Sequence, residues 1–360
     1  MLSVLFITSH RCNLRCKYCY EAAFHGGADM TITDARDAFI WTARLASLRK
    51  DKEILFMWFG GEPFVVGVRR MDELLKVQKE VFGPSAIKIR NVVQTNLALW
   101  SDEIILLARG YFDNSISVSL DYNSKFRVFE NGMSSKEQVL ENVARLKSAG
   151  VGVGLIGTLT RDDIGHERDI YAFYKELGCP FRLNRAHGDR KKALSGLAFM
   201  EVEEFDEFVI NIFKLLVADK PPRGMFLNYY DAVRTLKNGI CRGCRLSQDE
   251  GINFAIEPNG VISDWCRFGG ALGSYRDLES CADFVVRGWS HEQPEGCLAC
   301  RYRNVICNGA CEYEKDKSCD ESSCGFRTER TRRQLDFVRK HLDSLGVRHC
   351  LSPKSAEVKT

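Results

Sequence analysis

Three cysteines near the start of the chain have the spacing of a cluster-binding ligand set. The segment TSHRCNLRCKYCY places Cys12, Cys16 and Cys19 in a C-x3-C-x2-C array. Thiolates this close can reach different irons of one small cluster, whereas zinc wants four ligands in closed tetrahedral pairs. Four cysteines saturate a [4Fe–4S] cluster, yet the next cysteine along the chain is Cys179. A cubane held by three local thiolates keeps one iron open to an outside ligand, as a catalytic metal site requires. A second, denser group follows far downstream. It comprises Cys297-x2-Cys300-x6-Cys307-x3-Cys311, with Cys241, Cys244 and Cys266 before it and Cys319 and Cys324 after it. Eight of these cysteines could satisfy two four-ligand clusters, and the C-x2-C and C-x3-C pairs would also suit zinc. Cys179, Cys281 and Cys350 lack partners at ligand spacing and read as ordinary thiols.

Composition supports metal or redox chemistry over disulfides. Fifteen cysteines in 360 residues is about 4%, below the ~8–10% of a disulfide scaffold. The count is odd, and the opening MLSVLFITSHRC lacks the basic head and cleavage site of an export signal. Clustered thiols in a reducing compartment bind metal far more often than they pair, so a cytoplasmic protein is expected. With 51 Lys+Arg against 48 Asp+Glu the net charge is +3, and no strong field favours nucleic acid or an anionic membrane. No apolar run reaches the ~18 residues of a membrane span. The hydrophobic and charged fractions, 45% and 28%, are those of a globular chain. At ~150 residues per domain the length suggests about two domains.

The elements that must position the first cysteines alternate between strand and helix. Apolar or β-branched runs lie at Leu2–Thr8, Glu53–Phe59, Ile87–Thr95, Ser115–Leu120, Val151–Thr158 and Phe181–Leu183. Helical patterns lie between them at Thr33–Arg49, Arg70–Val81, Ser101–Ala108, Lys136–Ala149 and Ile164–Leu177. In the fourth, Ser135 and Gln138 read as a capping box, Val139, Leu140, Val143 and Leu146 as the buried stripe, and Gly150 as the C-cap. Such alternation predicts a parallel sheet covered by helices. Six βα units predict an α/β fold, a partial (β/α)6 TIM-like barrel, with its site at the C-terminal ends of the strands. An amphipathic helix from Val202 to Leu216 follows, and Pro221-Pro222-Arg223-Gly224 breaks the chain. Ile256 to Cys266 reads as a hairpin turning at Pro-Asn-Gly, and a charged helix runs from Phe326 to Leu345. The expected domains are 1–220, a small cysteine-rich domain at 221–345, and a tail at 346–360.

The array after the first strand, with Tyr18 before its last cysteine, resembles the radical S-adenosylmethionine (radical SAM) superfamily. The resemblance implies that the open iron binds SAM and that one electron cleaves it to methionine and a 5′-deoxyadenosyl radical. Tyr18 stands where the family has an aromatic residue near the adenine. Trp58-Phe59-Gly60-Gly61-Glu62-Pro63, at the end of the second strand, resembles the family's GGEP motif, whose backbone binds the amino end of SAM. Two glycines let the main chain approach a ligand closely, and Pro63 fixes the exit. Asn96, in Gln94-Thr95-Asn96, and Ser119 and Asp121, in Ser117 to Asp121, resemble positions that bind ribose hydroxyls or the SAM carboxylate. Arg127 falls where a related subgroup has an arginine near that carboxylate. The subgroup's LDG and His-Asp stretch is here Leu120-Asp121-Tyr122 and a shorter segment without histidine.

The downstream cysteines resemble the SPASM extension of radical SAM enzymes that modify peptides, which holds two auxiliary [4Fe–4S] clusters. Here one inter-cysteine gap is a residue longer than the family's common spacing. By position, Cys241, Cys244, Cys266 and Cys311 would hold the inner cluster. Cys297, Cys300, Cys307 and Cys324 would hold the outer one, with Cys324 preferred to Cys319 because it immediately precedes the final helix. Three [4Fe–4S] clusters and SAM are thus the implied cofactors. The implied partners are a ribosomally made precursor peptide and a one-electron donor such as flavodoxin or ferredoxin. The first functional expectation is a peptide maturase that installs an intramolecular crosslink, carbon–carbon, cyclophane or thioether. The chain starts at the first barrel strand, so leader recognition is expected to use the barrel, the region near Met225–Tyr230, or another protein. Arg185, His187 and Asp189, after the sixth strand, are expected to face the barrel mouth and the substrate. The alternatives are an anaerobic sulfatase maturase forming formylglycine and, outside enzymes, an iron–sulfur electron carrier or a zinc-binding interaction module.

Overall fold

The computed structural model describes residues 2–19, 26–186, 199–220, 224–238, 253–264, 271–281, 333–334 and 336–341. In chain order the elements are β1 (Leu2–Ile7), α1 (Ile32–Arg49), β2 (Glu53–Phe59), α2 (Val68–Phe82), β3 (Lys88–Thr95), α3 (Glu103–Tyr111), β4 (Ser115–Ser119), α4 (Lys136–Ser148), β5 (Gly152–Leu159), α5 (Glu167–Leu177), β6 (Phe181–Arg185), α6 (Val202–Asp219), α7 (Leu227–Asn238), β7 (Asn253–Ile256), β8 (Val261–Asp264) and β9 (Ala271–Ser274). Residues 333–334 and 336–341 are helical, inside the span expected for the last helix.

The described chain falls into two compact units. The first contains the described residues of 2–158 and 253–281. Its strands lie in the order β5-β4-β3-β2-β1-β7-β8-β9. Neighbours from β5 to β7 run parallel, and β7, β8 and β9 pair antiparallel. Helices α1 to α4 connect β1 to β5, the arrangement of a partial TIM-like barrel. Alternate side chains build its core. Leu2, Val4 and Phe6 of β1 and Ile54, Phe56 and Trp58 of β2 are wholly buried. Phe6 stacks on Phe39 of α1 at 4.9 Å, and Phe56 meets Phe82 of α2 edge-on at 5.7 Å. Each such aromatic contributes about 1.5–3 kcal/mol by leaving water. The indole of Trp58 donates to Asn91 Oδ1 at 2.9 Å, and Asn91 exchanges amide bonds with Gln78, so this buried polar group is satisfied.

Two local expectations are corrected. Ser135 and Gln138 do not form a capping box: Ser135 Oγ donates to Arg127 O at 3.2 Å, and Gln138 Nε2 donates to Ala98 O at 2.6 Å. Both side chains are drawn off the helix by the loops before α4. Gly150, at φ 73°, stands one residue past the cap, which is Ala149. The Pro-Asn-Gly hairpin forms as expected, with Asn259 left-handed at φ 75°. Its first strand, β7, pairs parallel with β1 and so extends the sheet of the first unit.

The second unit comprises the described residues of 159–186, 199–238 and 333–341. Phe181 of β6 stacks on Tyr174 of α5 at 4.8 Å and on Phe226 at 4.9 Å. Phe213 of α6 meets Phe226 and Tyr229 edge-on. Met225–Tyr230, expected as a recognition region, is the entry to α7.

Candidate active site

The cysteine loop leaves the C-terminal end of β1, between β2 and β7. One side of it is bound to the end of β2. Gly61 N donates to Ser9 O at 2.9 Å, and Glu62 N donates to Arg11 O at 3.0 Å. This pairing explains the two glycines. A Cβ on Gly60, at φ 140°, would press into the Ser9 carbonyl, and one on Gly61 would lie 2.5 Å from the carbonyl oxygens of His10 and Arg11. The N–H groups of Gly61 and Glu62 therefore hold the loop, which leaves other backbone groups of the motif for a ligand.

Glu62 is almost wholly buried and ties this strand end to the next. Its carboxylate accepts from Phe64 N at 3.0 Å, Thr95 Oγ1 at 2.7 Å and Asn96 N at 2.6 Å. Burial pushes its carboxyl up, while these donors and the Arg127 charge pull it back. Glu62→Gln is expected to cost about 1.5–3 kcal/mol, the range for a hydrogen bond to a buried charge. An amide nitrogen must then face one of these donors, and a urea melt checks the loss.

The opposite side of the loop is bound by residues 126–129, between β4 and α4. Arg15 N donates to Val128 O at 2.7 Å, Lys17 N donates to Phe126 O at 2.9 Å, and Leu14 bridges antiparallel to Phe129. Phe126 and Val128 are buried, and Arg127 between them points at the cysteines. Its Nη1 donates to Cys16 Sγ at 3.8 Å. Asp121 then gathers three donors. It takes the Tyr18 hydroxyl on Oδ2, and Arg127 Nη2 at 3.4 Å and Thr158 N at 2.9 Å on Oδ1. The Arg127 guanidinium also lies 5.8 Å from the centre of the Tyr18 ring. Burial works against the Arg127 charge, but Asp121, Tyr18 and Cys16 outweigh it and hold its pKa well above the usual value.

Asn96 completes the site beside Cys12. Its Nδ2 stands 3.6 Å from Cys12 Sγ and donates to Asn13 Oδ1 at 2.8 Å. Leu14 N donates to Cys12 Sγ at 3.4 Å, and Cys19 N donates to Cys16 O at 3.0 Å. Burial pushes the Cys12 thiol up to about 11, and it raises Cys16 against the pull of Arg127. Thiols held protonated in this way ligate well only where a metal displaces the proton. Among the described residues no three His, Cys, Asp or Glu side chains stand close enough to share one metal ion. Thiolates on a cubane bind separate irons, and the C-x3-C-x2-C spacing of these three cysteines suits such a cluster. Two buried donors here, Asn13 Nδ2 and Arg127 Nε, lack partners among the described residues. Both suit an anionic group, as a thiolate-ligated cluster with a bound carboxylate would be.

Residues 6–173 match the radical SAM superfamily. Over these residues the chain is similar to that superfamily. Over 331 residues it is 24% identical to the serine-type anaerobic sulfatase-maturating enzyme of Klebsiella aerogenes, covering 87% of this chain and 80% of that one. Among solved structures, anSMEcpe with bound AdoMet superposes with a TM-score of 0.77 at 17% identity, over 98% of this chain and all of that one. Streptococcus suis SuiB bound to precursor peptide SuiA superposes with a TM-score of 0.63 at 17% identity, over 89% of this chain and 73% of that one. These structures share the fold of this chain.

Within the matched residues the geometry brings Cys12, Cys16, Tyr18, Gly60, Gly61, Glu62, Asn96, Asp121 and Arg127 to one end of the parallel strands. Pro63 opens a 3-10 turn, and its carbonyl accepts from Thr8 Oγ1 at 3.3 Å. Ser119 Oγ accepts from Gln94 Nε2 at 3.3 Å. Arg185, at the end of β6 in the second unit, donates to Met200 O at 3.0 Å. His187 and Asp189, and Cys241, Cys244, Cys266, Cys297, Cys300, Cys307, Cys311, Cys319 and Cys324, lie outside the described residues. Sequence reasoning missed Asn13 and the 126–129 clasp. The alternation Phe126-Arg127-Val128 was the available signal, because one charge between two apolar residues is a strand pattern. No helix among the described residues is long and apolar enough to cross a membrane.

Proposed function

We propose that the chain is a radical SAM maturase. In this reading it takes a hydrogen from a side chain of a ribosomally made peptide and closes an intramolecular crosslink. The observation that carries it is the cysteine loop bound from both sides, by Gly61 and Glu62 and by residues 126 to 129, with Arg127 at Cys16. Cys12, Cys16 and Cys19 would hold a [4Fe–4S] cluster, which supplies the electron that cleaves SAM when both are bound. The work of the chain is positional. The β2 end and the clasp fix the three thiols, Asn96 orders the Cys12 side, and Asp121 aims Arg127. Arg127 Nε, Asn13 Nδ2, Ser119 and Tyr18 are the groups offered to SAM. The cysteines between 241 and 324 would hold two auxiliary clusters in a SPASM-like domain at 221–345. A flavodoxin or ferredoxin would deliver the electron. Arg185, His187 and Asp189 remain candidates for the substrate side.

A second reading is favoured by one observation: the superposition on anSMEcpe spans the whole of that chain. It is a sulfatase maturase that oxidises a serine or cysteine side chain to formylglycine. Product analysis separates the two. The anaerobically reconstituted chain, given SAM, reductant and a candidate peptide, is expected to yield a peptide lighter by two hydrogens. Tandem mass spectrometry should give no backbone fragments between the joined residues. An aldehyde made from serine also loses two hydrogens, but it reacts with a hydrazide probe and fragments normally. Hydrazide labelling would select the second reading.

A further inference from the structure

Arg127 stands out among the groups around the cysteines because its charge is buried, paired and in contact with a ligand sulfur. Its side chain is 13% exposed and that of Asp121 is 3% exposed. Arg15 and Lys17, on the same loop as the cysteines, are exposed to water that screens them. The partners of Asp121 come from three separate places: Tyr18 on the cysteine loop, Arg127 on the clasp and Thr158 on β5. A buried ion pair gives little net stability over an apolar trio of the same size. Packing alone therefore gives no reason for a charged pair here.

We propose that Arg127 and Asp121, braced by Tyr18, set the reduction potential at the Cys16 corner of the site, with Arg127 raising it and Asp121 restraining it. This rests on the reading of Cys12, Cys16 and Cys19 as cluster ligands. Reduction of such a cluster adds one electron, so the reduced state carries one more negative charge. A cation within hydrogen-bond reach of the Cys16 sulfur stabilises that state, and in a buried setting water does little to weaken the effect. Cluster potentials follow net charge, hydrogen bonds to sulfur and solvent exposure. Arg127 supplies the first two, and the clasp limits the third. The Asp121 carboxylate offsets part of the guanidinium field. Tyr18 and Thr158 hold it where it does so. On the potential, Arg127 and Asp121 thus act through Cys16, apart from any contact of Arg127 Nε with SAM.

The test is an EPR-monitored reductive titration of the full chain, reconstituted anaerobically, without SAM. The signal to follow is the one that changes shape when SAM is added to a parallel sample. Arg127→Gln is expected to move its midpoint to a more negative potential. Asp121→Asn should move it to a more positive one, and Arg127→Lys should leave it close to wild type. A purely structural role cannot give shifts of opposite sign. If Arg127→Gln retains no cluster, the other two variants decide, and an unshifted Asp121→Asn overturns the proposal. Iron-loaded variants with equal midpoints, or with shifts of one sign, overturn this inference alone. A wild-type chain that takes up no iron overturns the cluster reading as well.

Discussion

Replacing Cys16 with alanine is expected to abolish reductive cleavage of SAM. Formation of 5′-deoxyadenosine should fall at least about a thousandfold, or about 4 kcal/mol of barrier. The reasons are local. Cys16 is the middle of the three thiols, Arg127 Nη1 donates to its sulfur, and its carbonyl accepts the Cys19 N–H. Alanine keeps the backbone bonds that tie the loop to Gly61, Glu62 and the clasp, so the fold should survive. Circular dichroism and the urea midpoint should stay near wild type while iron content drops. A contrasting variant, Cys300→Ala, is expected to spare part of SAM cleavage and lose the peptide product, since Cys300 is proposed to hold an auxiliary cluster. Equal behaviour of the two variants would contradict that division of labour.

The second large effect is expected at Gly60. Alanine there meets the Ser9 carbonyl and must adopt φ 140°, a region that side chains rarely enter. Strain and overpacking together should cost about 2–4 kcal/mol, read as a lower urea midpoint. The functional loss should exceed what that destabilisation explains. Relief of the clash moves the Ser9–Arg11 strip away from β2, and the cysteines move with it. At a temperature where the variant is still folded, iron retention should fall severalfold. Gly154→Ala is a fitting control: it lies in β5 of the same sheet, with nothing within 4 Å of its added Cβ. A folded Gly60→Ala variant with full iron content would show that the close approach is not needed.

Much of the scaffold was legible because buried parallel strands leave continuous apolar runs. Glu53–Phe59 was read to the residue, and five other strands were read to within one or two residues at each end. Helix α4 was recognised by its stripe, although Leu140 is only partly buried and Asn142 takes its place, its amide donating to Leu97 O at 2.9 Å. Long-range pairing was harder to see. The hairpin at Pro-Asn-Gly was legible from turn chemistry, but its addition to the far side of β1 was not, because no local pattern encodes which edge a strand joins. The third strand of that group, Ala271–Ser274, is too short and small in its side chains to signal itself. At the site, residue types and spacing pointed to Cys12, Cys16 and Cys19, and the family resemblance pointed to Gly60 to Pro63. They could not show that the Glu62 carboxylate is used up in joining β2 to β3, nor that Asp121 faces Tyr18 and Arg127. Those facts depend on contacts between residues as much as 103 positions apart.

The most direct measurement is the EPR spectrum of the reduced, anaerobically reconstituted chain with and without SAM. If the three thiols of the first loop leave one iron open, adding SAM changes the line shape of one cluster signal. The change should be absent in a Cys12, Cys16, Cys19 triple alanine variant. A spectrum that SAM leaves untouched, or a change that survives in the triple variant, would contradict the assignment.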